Sequence, residues 1–235
     1  MEGTMKKQLL KSALIAVAGI GLLTGGAIAA ELTLDQVLAA NVTGQTITKA
    51  NDTGTEAWKT AEGAVDSYLI TLLAADQGSL WIYKTGDISS AYELSLFSNK
   101  CSFSINDFGD LYVNGVEIEK GFGESFSFYW KNLNEPNKAA TENAFNANGY
   151  DAVYTFLVKD GAKVKTKADG QTTVKALGNN DWILAFEDIA GGGDRDHQDA
   201  VFYVEDMNPV PEPTTMLLFG TGLVGLSSLA RRKRS

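Results

Sequence analysis

The sequence predicts an all-β chain, an antiparallel β-sandwich of jelly-roll type, with an all-β barrel as the alternative. Three observations carry this. From Ser67 onward, short runs rich in Val, Ile, Tyr, Phe and Trp follow one another. Gly, Asn and Asp turn signals separate them at intervals of roughly ten residues. Beyond the first residues of the body, scarcely any stretch has helical periodicity. No internal repeat is visible, which argues against a solenoid or propeller.

The elements follow in order. Residues 1–30 predict a signal peptide: Lys6, Lys7 and Lys11 precede the apolar run Ala13 to Leu23, and Ala27-Ile28-Ala29-Ala30 supplies small residues for cleavage. The body, 31–208, opens with a short helix over Glu31 to Ala40, where Thr33 and Gln36 form a capping box. The Thr-rich stretch from Asn41 to Trp58 predicts loop or edge strand. Strands are predicted over Ser67 to Ala74, Gly78 to Tyr83, Tyr92 to Phe97, Cys101 to Ile105 and Leu111 to Val113. Asn114-Gly115 predicts a two-residue hairpin turn into Val116 to Glu119. Ser125 to Trp130 places Phe126, Phe128 and Trp130 on one face. Ala152 to Val158 runs into a second hairpin signal, Asp160-Gly161, and Asp169-Gly170 joins two Lys/Thr-rich strands. Asp181 to Phe186 and Ala200 to Val204 complete the set.

The segment from Asn132 to Gly149 holds six asparagines and no strand signal, apart from a helical turn expected near Ala139 to Phe145. A loop of that length is often functional. Trp130 and Tyr150 at its flanks are candidate rings for stacking on sugars, which makes a carbohydrate-binding module the alternative function. A tolerated surface insertion explains the segment equally well.

Charge narrows the partners. Between Glu31 and Val210 the chain has 12 Lys and one Arg against 27 acids, a net charge of −14. Such a polyanion suits neither nucleic acid nor an anionic membrane surface. Cys101 is the only cysteine, so no internal disulfide framework exists, and its alternating context predicts a buried structural thiol.

The best candidate for chemistry lies between the last two predicted strands. Asp188, Asp194, Asp196 and Asp199 fall within twelve residues, with Glu187 beside them and three consecutive glycines between. Carboxylates so dense repel one another unless a cation intervenes. Hard oxygens at spacing two and three, on a Gly-rich backbone, suit Ca²⁺. The EF-hand template fails, because no Gly follows Asp199 and no acid stands at the twelfth position. A turn in which Asp and Gly serve backbone geometry is the competing reading. His197, the sole histidine, reads as a solvated turn residue rather than a general base.

The stretch Phe186-Glu187-Asp188, the glycines, then Asp194-Arg195-Asp196 and Asp199 before an apolar strand resembles a domain of unknown function found in exported bacterial proteins. The resemblance implies calcium binding by Glu187, Asp188, Asp194, Asp196 and Asp199, and an extracellular structural role. Where that family has an aromatic residue and Asn, His197-Gln198 stand here; Gln198 offers a replacement oxygen.

The end of the chain, 209–235, carries Pro211-Glu212-Pro213, an apolar run of 15 residues from Met216 to Ala230, and then Arg231, Arg232, Lys233 and Arg234. A bilayer core takes roughly 20 apolar residues as a helix. The run is therefore either a weak permanent anchor or a temporary tether, with the basic cluster held in the cytoplasm. Its order resembles the PEP-CTERM sorting signal. That resemblance implies export through the Sec machinery and transient insertion in the inner membrane. It also implies cleavage near Pro-Glu-Pro by an exosortase, followed by release to the cell surface or an exopolysaccharide matrix.

No nucleophile elbow, phosphate loop, paired-His metal motif or Cys-His pair is present. A two-carboxylate glycosidase needs no motif, but 27 acids make any candidate pair uninformative. The expectation is a non-enzymatic exported protein with a structural or adhesive role.

Overall fold

The computed structural model describes residues 32–44, 47–50, 56–61, 64–72, 78–96, 101–132, 138–159, 161–168, 171–176, 178, 180–187 and 195–210. The predicted signal peptide and the Pro-Glu-Pro tail lie outside them. Among the described residues, no helix is long and apolar enough to cross a membrane.

Helix α1 (Leu34–Asn41) opens the body with the predicted capping box: the Thr33 hydroxyl accepts from the Gln36 amide, and Gln36 Oε1 accepts from the Thr33 amide at 2.9 Å. The strands follow as β1 (Val42–Thr43), β2 (Thr48–Lys49), β3 (Trp58–Thr60), β4 (Ala64–Leu72), β5 (Gly78–Lys84), β6 (Asp87–Leu96), β7 (Cys101–Ile105), β8 (Leu111–Val113) and β9 (Val116–Glu119). They continue as β10 (Phe126–Asn132), β11 (Lys138–Ala140), β12 (Val153–Leu157), β13 (Lys163–Ala168), β14 (Gln171–Ala176), β15 (Trp182–Phe186), β16 (Ala200–Val204) and β17 (Met207–Pro209). Two 3₁₀ turns, Asn143–Phe145 and Ala147–Gly149, lie between β11 and β12.

These strands form two antiparallel sheets. The larger runs β2-β12-β15-β16-β4-β7-β8-β9, with β13 joined to β4, β1 and β14. The smaller runs β17-β3-β10-β5-β6, with β11 on β10. The main core lies between them: Phe126, Phe128 and Trp130 of β10 meet Val65, Phe103, Leu184 and Phe202. Their edge-to-face ring pairs, such as Phe103 on Phe126 at 5.3 Å, each add about 1 kcal/mol beyond burial. A second core covers the other face of the larger sheet, where Ile70, Ile183, Ala185, Val201 and Tyr203 pack under Val37 and Leu38 of α1. This explains why β15 and β16 are continuous apolar runs: strands buried on both faces lose the polar alternate.

Most turn signals hold. Asn114 (φ 50°) and Gly115 (φ 79°) make the tight turn between β8 and β9, which needs positive φ at both positions. β13 and β14 pair from Lys163↔Ala176 to Ala168↔Gln171, as a hairpin there requires, while Asp169 and Gly170 themselves lie outside the described residues. The hairpin expected at Asp160-Gly161 does not form. β12 pairs with β15 and β2, whereas β13 goes to β1, β14 and β4. Val158 and Ala162, either side of that turn, are buried in the second core, so the chain crosses the sheet there instead of doubling back.

The described part of the Asn-rich segment departs from the single helical turn expected, and 133–137 lie outside the described residues. Within 138–149 it forms β11 and the two 3₁₀ turns. Asn146 clasps them: its Oδ1 accepts from the Ala140 amide, and its Nδ2 donates to the carbonyls of Ala140 and Tyr150. Trp130 cannot serve a sugar. It is 1% exposed, with its ring 5.5 Å from that of Phe202. Apolar burial outweighs presentation on this face of β10. Cys101 is buried and free, and burial, with the nearby Asp66 charge, pushes its thiol up to about 11.

Candidate metal centre

β15 and β16 pair in register from Trp182↔Val204 to Phe186↔Ala200, so the chain leaves the sheet at Glu187 and returns at Asp199. Both ends of that excursion are thereby fixed side by side. The Glu187 amide donates to the Ala152 carbonyl at 2.9 Å, extending the β12–β15 contact by one residue. Glu187 is buried and Asp196 half-buried.

Carboxylate oxygens of Glu187, Asp196 and Asp199 all lie within 4.8 Å of one another. Two oxygens bound to one Ca²⁺ at about 2.4 Å can stand no farther apart than about 4.8 Å, so this spacing fits a single ion. Asp188 and Asp194, the other two acids expected in the site, lie outside the described residues.

Gln198 adds a neutral oxygen. Its side chain is 1% exposed; Nε2 donates to Asp196 Oδ2, and its amide donates to Asp196 Oδ1 at 3.3 Å. The Oε1 atom is buried with no hydrogen-bond partner. A buried amide oxygen without a donor is costly, and a cation shared with the adjoining carboxylate would satisfy it.

His197 is not the solvated turn residue expected. It is 1% exposed and pins the returning loop to β12. Its Nε2 lies 2.9 Å from the Asp151 carbonyl oxygen and 3.3 Å from the Tyr150 hydroxyl, while Nδ1 lies 3.2 Å from the Arg195 carbonyl. Its ring stacks on Tyr154, and Lys49 Nζ sits 2.9 Å from the Tyr154 ring centroid. Arg195 (φ 63°) and His197 (φ 54°) both adopt left-handed backbone, which non-glycine residues seldom take. Arg195 lies over the Tyr150 ring at 5.3 Å. The Tyr150 phenol is pushed up to about 12 by burial first and the Glu187 charge second.

Sequence reasoning missed Tyr150, Asp151 and Tyr154 as supports of this loop. They stand more than forty residues away in the chain, and only the β12–β15 pairing brings them close.

Residues 209–234 match the model of the PEP-CTERM protein-sorting motif. The chain carries a PEP-CTERM sorting signal. Residues 122–206, which include the acid-rich loop and β10 to β16, match a domain of unknown function (DUF4114). No curated protein and no solved structure matches the chain. The PEP-CTERM motif marks an exported protein that an exosortase recognises and sorts through the membrane toward the cell surface. It comprises Pro211, Glu212 and Pro213 at one end and Arg231, Arg232, Lys233 and Arg234 at the other.

Proposed function

We propose that this exported protein is a non-enzymatic structural or adhesive component of the cell surface or exopolysaccharide matrix, cut near Pro211-Glu212-Pro213, and that Ca²⁺ stabilises it. The observation that supports calcium is the mutual spacing of the Glu187, Asp196 and Asp199 carboxylates at the mouth of the β15–β16 hairpin, with Gln198, whose Oε1 is buried without a hydrogen-bond partner, bonded to Asp196 through Nε2. Three carboxylates and one amide oxygen, completed by water or by further oxygens of the loop, suit the loose six-to-eight coordination of Ca²⁺ better than the strict octahedron of Mg²⁺. The ion would cancel repulsion among the acids and close the loop on itself, or bridge them to an anionic polysaccharide.

Calorimetric titration of chelator-treated protein tests this. Saturable binding at up to millimolar Ca²⁺, weakened at least tenfold in Asp199→Asn, is expected. No heat of binding at that concentration would overturn the calcium reading. Mass spectrometry of protein recovered outside the cells tests the sorting step: a chain still ending in Arg234-Ser235 would exclude cleavage.

A further inference from the structure

The outer face of the smaller sheet carries a feature that neither the sorting motif nor the acid-rich loop accounts for. Trp81 of β5 and Tyr129 of β10 are cross-strand partners, and their rings stand parallel, 5.6 Å apart and 11° from coplanar. Beside them Lys131 of β10 and Lys138 of β11 are also direct cross-strand partners. Lys131 Nζ lies 5.6 Å from the Trp81 ring centroid, and Lys138 Nζ 4.6 Å from that of Tyr129. The rings therefore hold both ammonium groups over one patch.

Like charges directly opposite each other across two strands are destabilising. Among the described residues, neither lysine has a carboxylate within ion-pair distance. Lys138 is held below the usual lysine range, by burial first and by Lys131 second. Tyr83, Tyr129 and Ala140 fill the base of the patch, while Trp81 remains half-buried, its Nε1 donating to the Ser79 hydroxyl at 2.7 Å. That bond fixes the indole plane. Glu93, the register partner of Trp81 on β6, is exposed and its charge reaches Tyr129, so an anion borders the patch on the side opposite the lysines.

We propose that this face binds an acidic polysaccharide, with a uronate carboxylate seated between the Lys131 and Lys138 ammonium groups and the sugar ring laid against Trp81. The paired cations supply the charge complement, and the indole supplies a flat apolar surface for the C–H face of the sugar. A body of charge −14 disfavours a dense polyanion such as nucleic acid, with about one charge per 1.7 Å of duplex, far more than a chain carrying one charge per sugar. The site is separate from the carboxylate cluster, so its test does not depend on calcium.

Native affinity electrophoresis in EDTA measures it, with polygalacturonate, neutral dextran or a single-stranded oligonucleotide in the gel. Polygalacturonate alone is expected to retard the protein. The dissociation constant is expected to rise about tenfold in Lys131→Ala and in Lys138→Ala, to stay unchanged in Lys159→Ala, and to be largely kept in Lys131→Arg. Both lysines are half-buried, and unaltered melting temperatures of the variants check that they fold. No retardation of the native protein, equal retardation by dextran or oligonucleotide, or wild-type binding by both alanine variants would each overturn the proposal.

Discussion

The imidazole of His197 lies flat on the Tyr154 ring, with 3.6 Å between centroids and 9° between planes. Tyr154 belongs to β12 and His197 to the acid-rich loop, so one stacked pair ties the returning limb of that loop to the sheet. Replacing His197 by Ala removes this stacking together with the contacts to Asp151 and Tyr150. A cost of about 3 kcal/mol is expected for a buried ring with polar partners. His197→Phe keeps the stacking and should recover part of it. Thermal unfolding of the two variants separates ring packing from hydrogen bonding.

The carboxylate cluster gives a prediction with two signs. In chelator, Asp196→Asn removes one of three mutually repelling charges and should raise the melting temperature slightly. With Ca²⁺ at a hundred times its dissociation constant, the native protein should gain about 2.7 kcal/mol, and the variant much less. Gln198→Leu should likewise reduce the gain, because it deletes the buried amide oxygen. Melting curves with and without Ca²⁺ would show the crossing; parallel behaviour in all three proteins would count against the site.

Gly78 has no room for a side chain. A Cβ there would stand 2.3 Å from Trp130 Cζ2 and 2.6 Å from the Lys131 carbonyl oxygen. Gly78→Ala should therefore cost about 3 kcal/mol, lowering the melting temperature by roughly 6–12 °C. Lys163→Ala, at an exposed position, should change it by at most a degree or two.

Alkaline pH should destabilise the body. The Tyr203 hydroxyl, fully buried, donates to Asp181 Oδ2 at 2.7 Å; burial first and that bond second hold its ionisation far above the usual tyrosine range. Cys101 is pushed up from 9.0 to about 11. Both groups hold their protons more tightly folded than unfolded, so the unfolded chain releases protons first as pH rises. Their contribution is complete below about pH 9 and fades as pH climbs toward 11. Tyrosinate absorbance and far-ultraviolet circular dichroism, followed together, should change in step. Tyrosine ionisation complete well before unfolding would contradict this.

The sandwich was legible because its strands are bounded by turn chemistry: Cys101–Ile105, Ala200–Val204 and the Asn114-Gly115 turn all stand where the residues place them. Sheet membership was not. Nothing local in Val153–Leu157 says that it pairs with Trp182–Phe186 rather than with the strand after Gly161, since both partners offer apolar side chains to the same second core. The early start of β6 at Asp87 was missed for a related reason. Its residues Ser89, Ser90 and Ala91 lack the apolar alternation of a strand, and Gly86 (φ 81°) supplied the turn. At the candidate site, composition pointed to Glu187, Asp188, Asp194, Asp196 and Asp199, of which Glu187, Asp196 and Asp199 stand together among the described residues. The burial of His197 depends on Tyr150 and Tyr154, which no spacing in the loop encodes.

The final strand, Met207–Pro209, lies against Trp58–Thr60, and the Val210 amide donates to the Ala57 carbonyl at 2.8 Å. Pro211 is the very next residue, so no spacer separates the finished sheet from the sorting motif. On the cleavage proposed above, the cutting enzyme would work at the hem of the folded body, or before β17 has docked. Docking of the last strand and that cut would then be joined at a single peptide unit.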